Sequence, residues 1–396
     1  MIEQDPGMGY DTGIIMFGLK KNKLVADKSA ISKALSRRLE PAGVFPSKEE
    51  AVSVLSQRPC RVYLGIDPTG PDIHLGHTIP LLFLKELWQL GHQPIILIGN
   101  FTAQVGDPTG KSTARPPLSA SQVAQNSRTY TRQMSKILPK DAFKVQYNND
   151  WLGKLKFGRI LELASQVTVQ QMIQRDMFQE RIKREEPIGL HEFLYPLMQG
   201  YDSVAMEIDG EVGGSDQIFN MLVGRTLEKK LLNKEKFVFA TQLLANAEGR
   251  KMSKSEGDII TVDDEPREIR RKVLAMDDGL IKKVFELCTE KPTEWIEANQ
   301  NKDRREWKEE LADELVRMYH GEKAVSLSRS AKEVAGGGKN LAELLSGNLS
   351  ISRSEAKRLI EQSAVEINGQ TAKDWNYQTK LGDKIQVGKG RFIEIK

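Results

Sequence analysis

Residues 63–77 read YLGIDPTGPDIHLGH, Tyr63 to His77, and the rest of the chain is interpreted outward from them. Val62 to Ile66 forms an apolar strand, which the turn residues Asp67-Pro68-Thr69-Gly70-Pro71 break. From His74-Leu75-Gly76-His77 an apolar-periodic segment opens, with Ile79, Leu82, Phe83 and Leu87 at helical spacing. The unit is strand, loop, helix, with two imidazoles and Thr69 at the helix start. Backbone N–H groups there lack helical partners and the dipole end is positive, so the spot favours an anion such as phosphate.

The sequence of 396 residues is long enough for two or three domains, and 39% hydrophobic with 28% charged residues describes a globular protein rather than a disordered one. Net charge is +4, and the last 67 residues hold 11 Lys/Arg against 8 Asp/Glu, so most of the excess sits in one small region. Such a concentration hints at a polyanionic partner. Cys60 and Cys288 are far apart, with no CxxC for a zinc site, and a reduced compartment is the simplest reading. No run approaches the ~18 apolar residues of a membrane span. Residues 1–28, with Glu3 and Asp5 ahead of a short apolar run, lack the order of a signal peptide and read as a loose extension, so the chain is expected in the cytoplasm.

In chain order, residues 29–58 carry helix-spaced Leu35, Leu39, Ala51 and Leu55 and are expected to be helical. Strand 61–66 and the helix to about residue 90 follow. Pro94–Gly99 (PIILIG) has the continuous apolar character of a buried parallel strand. Strand, helix, strand makes a βαβ unit, whose ligands sit beyond the carboxyl ends of the strands. Residues 119–200 are expected to be mostly helical, with a strand at Phe143–Tyr147 and a turn at Asn148-Asn149-Asp150. Met206–Val212 and Phe237–Leu244 are further predicted strands, and Ser215 or Asp216 is placed to cap the helix after Gly213-Gly214. Residues 262–330 form a charged helical layer. After the linker Gly336-Gly337-Gly338 a compact α/β module is expected, with Ser352 and Glu355 as a capping box, a turn at Asn368-Gly369 and a hairpin around Gly388-Lys389-Gly390.

Several patterns bear on chemistry. Gly106-Asp107-Pro108-Thr109-Gly110-Lys111-Ser112 nearly spells a Walker A loop, but the glycine spacing is short by one and a P-loop is rejected. Lys111 and Arg115 are then either cations of a solvated loop or cations that close over a phosphate. Tyr195, Gln199 and Asp202 share one helix face. Their flanks Phe193, Leu194, Leu197 and Met198 are apolar, so the face is partly buried, and buried polar groups need partners that a polar ligand supplies. Lys251 and Lys254, in KMSKSEG, are spaced to reach one anion. His74 and His77 are three apart, yet no third ligand is near except His92 beyond a whole helix, so zinc is not expected. Arg353, Lys357 and Arg358 make a basic helix suited to a phosphate backbone.

HLGH after a strand, with KMSKS about 175 residues later, resembles the class I aminoacyl-tRNA synthetases. The set GxDPT, YxxxQxxD and GGSDQ resembles their bacterial tyrosyl-tRNA synthetase family over residues 40–396. The resemblance implies an α/β fold: a Rossmann-like parallel-sheet catalytic domain at 29–260 with a helical insertion, an α-helical anticodon-binding domain at 261–330, and a small α/β RNA-binding domain of the S-four type at 331–396. It implies a ligase that activates L-tyrosine with ATP to tyrosyl-adenylate and passes tyrosine to the terminal adenosine of tRNA(Tyr). Tyr63 and Asp202 would bond the tyrosine phenol; Asp107, Tyr195 and Gln199 the α-ammonium; Gln217 would sit near the carboxylate. Asp67, Gly214 and Asp216 would lie by the ribose, and Gly76 by ATP. Thr69, His74 and His77 would contact the ATP phosphates and ribose, while Lys111, Arg115, Lys251 and Lys254 would clamp pyrophosphate. Arg353, Lys357 and Arg358 would face RNA. Mg²⁺ would accompany ATP without a protein cage, and a homodimer is implied, with residues 150–185 as its surface. Leu64, Ile218 and Pro80, the last expected in the first helical turn, depart from the family pattern and point to a subfamily variant.

Two other readings compete. A tryptophanyl enzyme shares the fold but has no need of Tyr63 and Asp202 as a phenol pair. An RNA-binding protein that kept the scaffold without catalysis predicts damaged HLGH or KMSKS motifs, and both are intact.

Overall fold

The computed structural model describes residues 27–109, 118–244, 259–329, 332–334, 338–349, 351–388 and 391–395. A six-stranded sheet has the order β1-β6-β5-β2-β3-β4, from Leu39–Phe45 (β1), Arg61–Ile66 (β2), Gln93–Ile98 (β3), Lys144–Tyr147 (β4), Gly210–Gly214 (β5) and Phe237–Thr241 (β6). All neighbours pair in parallel except β1, which runs antiparallel to β6. The all-buried pattern of Pro94–Ile98 follows from a strand covered on both faces. From β2 the chain steps outward through β3 to β4, then returns to the other side of β2 with β5. The crevice beyond the carboxyl ends of β2 and β5 is therefore the switch point at which such sheets bind ligands.

The helix Leu75–Gln89 opens as the spacing predicts. His74 is its N-cap, accepting from the Gly76 N–H, and the His77 side chain reaches back to the His74 N–H. Pro80 is its sixth residue, in the second turn rather than the first. Residues 29–58 are not helical throughout: a helix Lys28–Arg37 and a helix Lys48–Leu55 flank β1. The helix Leu190–Met206 takes in the first residue of the stretch expected as strand, closes on a left-handed Glu207, and the strand begins only at Gly210. Ser215–Gln217 is a 3₁₀ turn, and the next helix, Ile218–Leu232, has no side-chain cap.

The helices Pro266–Ala275, Ile281–Cys288 and Arg304–His320 pack as a layer whose apolar core is continuous with that of the sheet, from Ile31 to Val325. Phe285 and Trp307 stack at its centre, ring centroids 5.5 Å apart. Two arginines join the layers. Arg37 donates to the carbonyls of Phe285, Glu286, Thr289 and Lys291, and buried Arg38 to those of Leu287 and Thr289 and to Glu86. They satisfy the last carbonyls of the helix Ile281–Cys288, which have no donors within it. A second core, centred on Leu341, Leu345, Ile360 and Ile393, belongs to the C-terminal module. There the strands Lys332–Val334 (β7), Val365–Ile367 (β8), Gln370–Thr371 (β9), Lys384–Val387 (β10) and Arg391–Ile395 (β11) form a sheet in the order β7-β11-β10-β8-β9. The helices Leu341–Leu349 and Arg353–Glu361 complete it, the latter capped by Ser352. Among the described residues no helix is long and apolar enough to cross a membrane.

Candidate active site

Two cavities of about 190 Å³ each open at the switch point. The first is lined by Tyr63, Asp67, Thr69, His77, Asp107, Tyr195, Gln199, Asp202 and Gln217, so nine predicted site residues meet there, joined by Asn148 and Glu211. The second is more apolar and is lined by His74, Leu75, Gly76, Asp216, Leu243 and Leu244. The His74 and His77 rings stack with centroids 3.8 Å apart, one lining each cavity. Both use Nδ1 as an acceptor from the helix start, so each neutral ring carries its proton on Nε2. Gly214 ends β5, two residues before Asp216. Lys111, Arg115, Lys251 and Lys254 lie outside the described residues.

At the floor of the first cavity Tyr63 is fully buried on β2. Burial pushes its phenol well above the usual range, with Glu211 and Asp202 adding to the shift, so it stays protonated. Asp202 comes from the helix Leu190–Met206. Its Oδ1 accepts from the Trp151 indole at 2.7 Å and its Oδ2 from the Asn148 amide at 3.2 Å. Burial raises the Asp202 carboxyl, against the pull of those two donors.

Higher in the cavity, Tyr195 donates to Asp67 Oδ2 at 2.8 Å, and Thr102 to Asp67 Oδ1 at 2.7 Å. The loop is drawn so close that a Cβ on Gly99 would lie 1.9 Å from Asp67 Oδ1, which only glycine permits. Gln217 donates to Asp107 at 2.7 Å, and Gln199 Nε2 to Glu211 at 2.9 Å. The cavity thus offers a phenol and a carboxylate at its floor, and Asp67 and Asp107 above. That is a complement for a zwitterion with a hydroxyl at its far end. Asn148 and Trp151 were not legible as site residues. NNDW reads as a turn, and only the register of β4 brings it under Asp202. Glu211 lay inside a predicted strand, with no signal beyond its charge in an apolar run.

Among the described residues no three His, Cys, Asp or Glu side chains converge as a metal site. Arg353, Lys357 and Arg358 lie far along the chain on the C-terminal module. Lys357 Nζ stands 3.4 Å from the Trp375 ring centroid, and Arg353 pairs with Glu343 at 3.2 Å.

Comparison with known proteins bears on the family. The family model for class I tRNA synthetases (W and Y) matches residues 55–333, and that for the S4 domain matches residues 344–385. A tyrosine–tRNA ligase of Carboxydothermus hydrogenoformans is 40% identical over 405 residues, covering 91% of this chain and 98% of that protein. Tyrosine–tRNA ligase 2 of Clostridium acetobutylicum is 41% identical over 359 residues, covering 84% of this chain and 90% of the relative. Among solved structures, a tyrosyl-tRNA synthetase complexed with L-tyrosine from Archaeoglobus fulgidus shares the fold. Its TM-score is 0.61 at 19% identity, over 76% of this chain and 99% of that one. The chain belongs to the class I tRNA synthetases, within the tyrosine–tRNA ligases.

Proposed function

We propose that this tyrosine–tRNA ligase holds L-tyrosine in the cavity of Tyr63 and Asp202, and the adenosine of ATP in the cavity of Gly76 and Asp216. The observation that carries the reading is the pinned carboxylate at the floor. With Trp151 and Asn148 donating to Asp202, and Tyr63 beside it in the same cavity, a phenol has both an acceptor and a donor. Phenylalanine would leave each of them one hydrogen bond short, at roughly 1–3 kcal/mol for each buried group. Sites built to bond a hydroxyl reject the analogue without it by roughly 10⁴–10⁵, a general range for which tyrosyl enzymes are themselves the standard example. A tryptophanyl enzyme would not need the pair.

Adenylate formation is in-line attack of the tyrosine carboxylate on the α-phosphate, and the nucleophile is already an anion, so no general base is required. Asp107 and the Gln199 carbonyl would hold the ammonium, with Tyr195 fixing Asp67 beside them. Gln217, locked to Asp107, would lie at the carboxylate. Asp67, Gly214 and Asp216 would take the ribose. Thr69 with the Nε2–H groups of His74 and His77 would meet the phosphates, and Lys111, Arg115, Lys251 and Lys254 the leaving pyrophosphate. Positioning and charge stabilisation supply the rate. Mg²⁺ would accompany ATP as part of the substrate.

The domain limits 29–260, 261–330 and 331–396 form part of the same reading, as do tRNA contacts through Arg353, Lys357 and Arg358. So does a cytoplasmic location, in keeping with two buried free cysteines. A homodimer is supported by an apolar groove of Phe101, Leu155, Ile160, Leu163 and Leu194, beside exposed Phe157 and Leu161. Amino-acid-dependent ATP–pyrophosphate exchange tests the reading, with tyrosine, phenylalanine and tryptophan in parallel. Exchange with tyrosine alone supports it, exchange with tryptophan moves it one branch over, and no exchange from folded protein overturns it. Lys254→Ala with unchanged exchange would remove that lysine from the pyrophosphate clamp.

A further inference from the structure

Behind the wall of the first cavity lies an ion pair that none of the roles above uses. Lys236 immediately precedes β6 and is 0% exposed; Glu211 on β5 is 2% exposed and lines the cavity. The Lys236 ammonium donates to Glu211 Oε2, to Ser203 Oγ at 2.7 Å and to the Met221 carbonyl at 3.1 Å. Its three protons are all used. The second Glu211 oxygen accepts from Gln199 Nε2 at 2.9 Å, and Ser203 Oγ meets the Tyr63 hydroxyl at 3.2 Å. One unbroken hydrogen-bonded path therefore runs Gln199–Glu211–Lys236–Ser203–Tyr63 around the cavity, with Lys236 at its centre.

We propose that Glu211 and Lys236 are positioning residues for tyrosine, setting the hydrogen-bond polarity of Gln199 at one end of the substrate and of Tyr63 at the other. The inference rests on this cavity being the tyrosine site. An amide can present either its oxygen or its nitrogen to a ligand. An ionised carboxylate only accepts, so Glu211 takes Gln199 Nε2 and leaves the carbonyl Oε1 for an ammonium. At the other end, Ser203 Oγ accepts from Lys236, which favours the arrangement in which its own proton goes to the Tyr63 oxygen, one of the two directions open to that pair. Tyr63 then keeps its O–H as a donor toward a phenol oxygen. Lys236 is the element that makes both arrangements possible. Asp67, Asp202 and Glu211 crowd one cavity, and a buried carboxylate stripped of its cation takes up a proton. A protonated Glu211 would donate to Gln199 Oε1, turn the amide round and present N–H groups to an ammonium.

Lys236→Met removes the charge and keeps the length. In tyrosine-dependent ATP–pyrophosphate exchange its KM for tyrosine is expected to rise at least tenfold, with kcat and KM for ATP within about threefold of wild type. The double variant Glu211→Gln/Lys236→Met removes both charges of the pair, and the amide that replaces the carboxylate can still accept from Gln199, so most of the loss in KM is expected to return. In Glu211→Ala/Lys236→Met no acceptor remains, and KM is expected to stay high. This second comparison carries the test should Lys236→Met fail to fold. Equal tyrosine KM in the two double variants overturns the proposal, as does a folded Lys236→Met with unchanged KM. Absence of tyrosine exchange in the wild type would instead overturn the assignment of the cavity.

Discussion

Tyr195 donates its hydroxyl proton to Asp67 across 2.8 Å, so a helix residue expected to hold an ammonium and a loop residue expected beside a ribose form one bonded unit. Burial, then the charges of Asp67 and Asp107, keep the Tyr195 phenol protonated at any working pH. Tyr195→Phe removes the donor and costs Asp67 this hydrogen bond. A hydrogen bond to a charged group is worth roughly 1.5–3 kcal/mol, so kcat/KM for tyrosine in the exchange assay is expected to fall by about 10–100-fold. A fall of less than threefold would separate the pair from the reaction.

Asp202 is held by Asn148 in the cavity lining and by Trp151 behind it, and the Trp151 donor should govern selectivity without touching substrate. Trp151→Phe leaves one carboxylate oxygen without its 2.7 Å donor. The expected outcome is a tyrosine KM raised about tenfold, at roughly 1–2 kcal/mol for the lost bond. Tyr63→Phe should lower the preference for tyrosine over phenylalanine further, since it removes a group facing the phenol. Exchange kinetics with both amino acids check the two variants, and an unchanged tyrosine-to-phenylalanine ratio in either would refute the assignment.

Charge reversal on the C-terminal module should split the two half-reactions. Arg353, Lys357 and Arg358 lie on the helix Arg353–Glu361, whose module has its own core. Replacing all three with Glu is expected to raise KM for tRNA at least tenfold, more steeply at low salt. Pyrophosphate exchange should stay within twofold of wild type. Equal loss in both assays would point to misfolding, and no loss in either would remove the helix from RNA binding.

Glu228 is fully buried, with no hydrogen-bond partner for either carboxyl oxygen among the described residues, and burial pushes its carboxyl up to about 8. Unfolded, the same group titrates near 4.5. Between those values the folded chain binds the extra proton, so this group's contribution to stability declines as pH rises from about 4.5 to 8 and is flat above. Glu228→Gln abolishes this pH dependence. Denaturant midpoints from pH 5 to 8.5 should show the variant gaining on wild type with rising pH, by a few kcal/mol at most. Parallel curves would show that Glu228 is ionised or solvated in the fold.

The switch-point crevice was legible because β2, β3 and the HLGH helix declare themselves locally, through apolar runs, a cluster of turn residues and helical spacing. Strand β1 was not. Leu35 and Leu39 are four apart and imitate a helix face, while the opposing signals, Pro41 and Gly43, are single residues. What decides the matter is tertiary: a Cβ on Gly43 would lie 2.6 Å from the Ala240 carbonyl, so the strand exists because glycine lets it close on β6. The site shows the same division. Residues that would touch substrate fall into spaced motifs, whereas Trp151, Ser203 and Lys236 act through other side chains. Their partners lie 51, 140 and 25 positions away in sequence. No local pattern encodes a partner at that range.

The two arginines that grip the end of the helix Ile281–Cys288 give the chain's early residues a mechanical role. Arg37 and Arg38 between them bind five carbonyls spread over seven residues, Phe285 to Lys291, and Arg38 also ties in Glu86. The catalytic layer and the helical layer are thereby riveted at a point more than 240 residues apart in sequence. A fusion partner joined ahead of Asp27 leaves the rivet in place. A deletion that reached Arg38 would take away both the rivet and the core residues Ile31 and Leu35, so the sheet and the helical layer would loosen together.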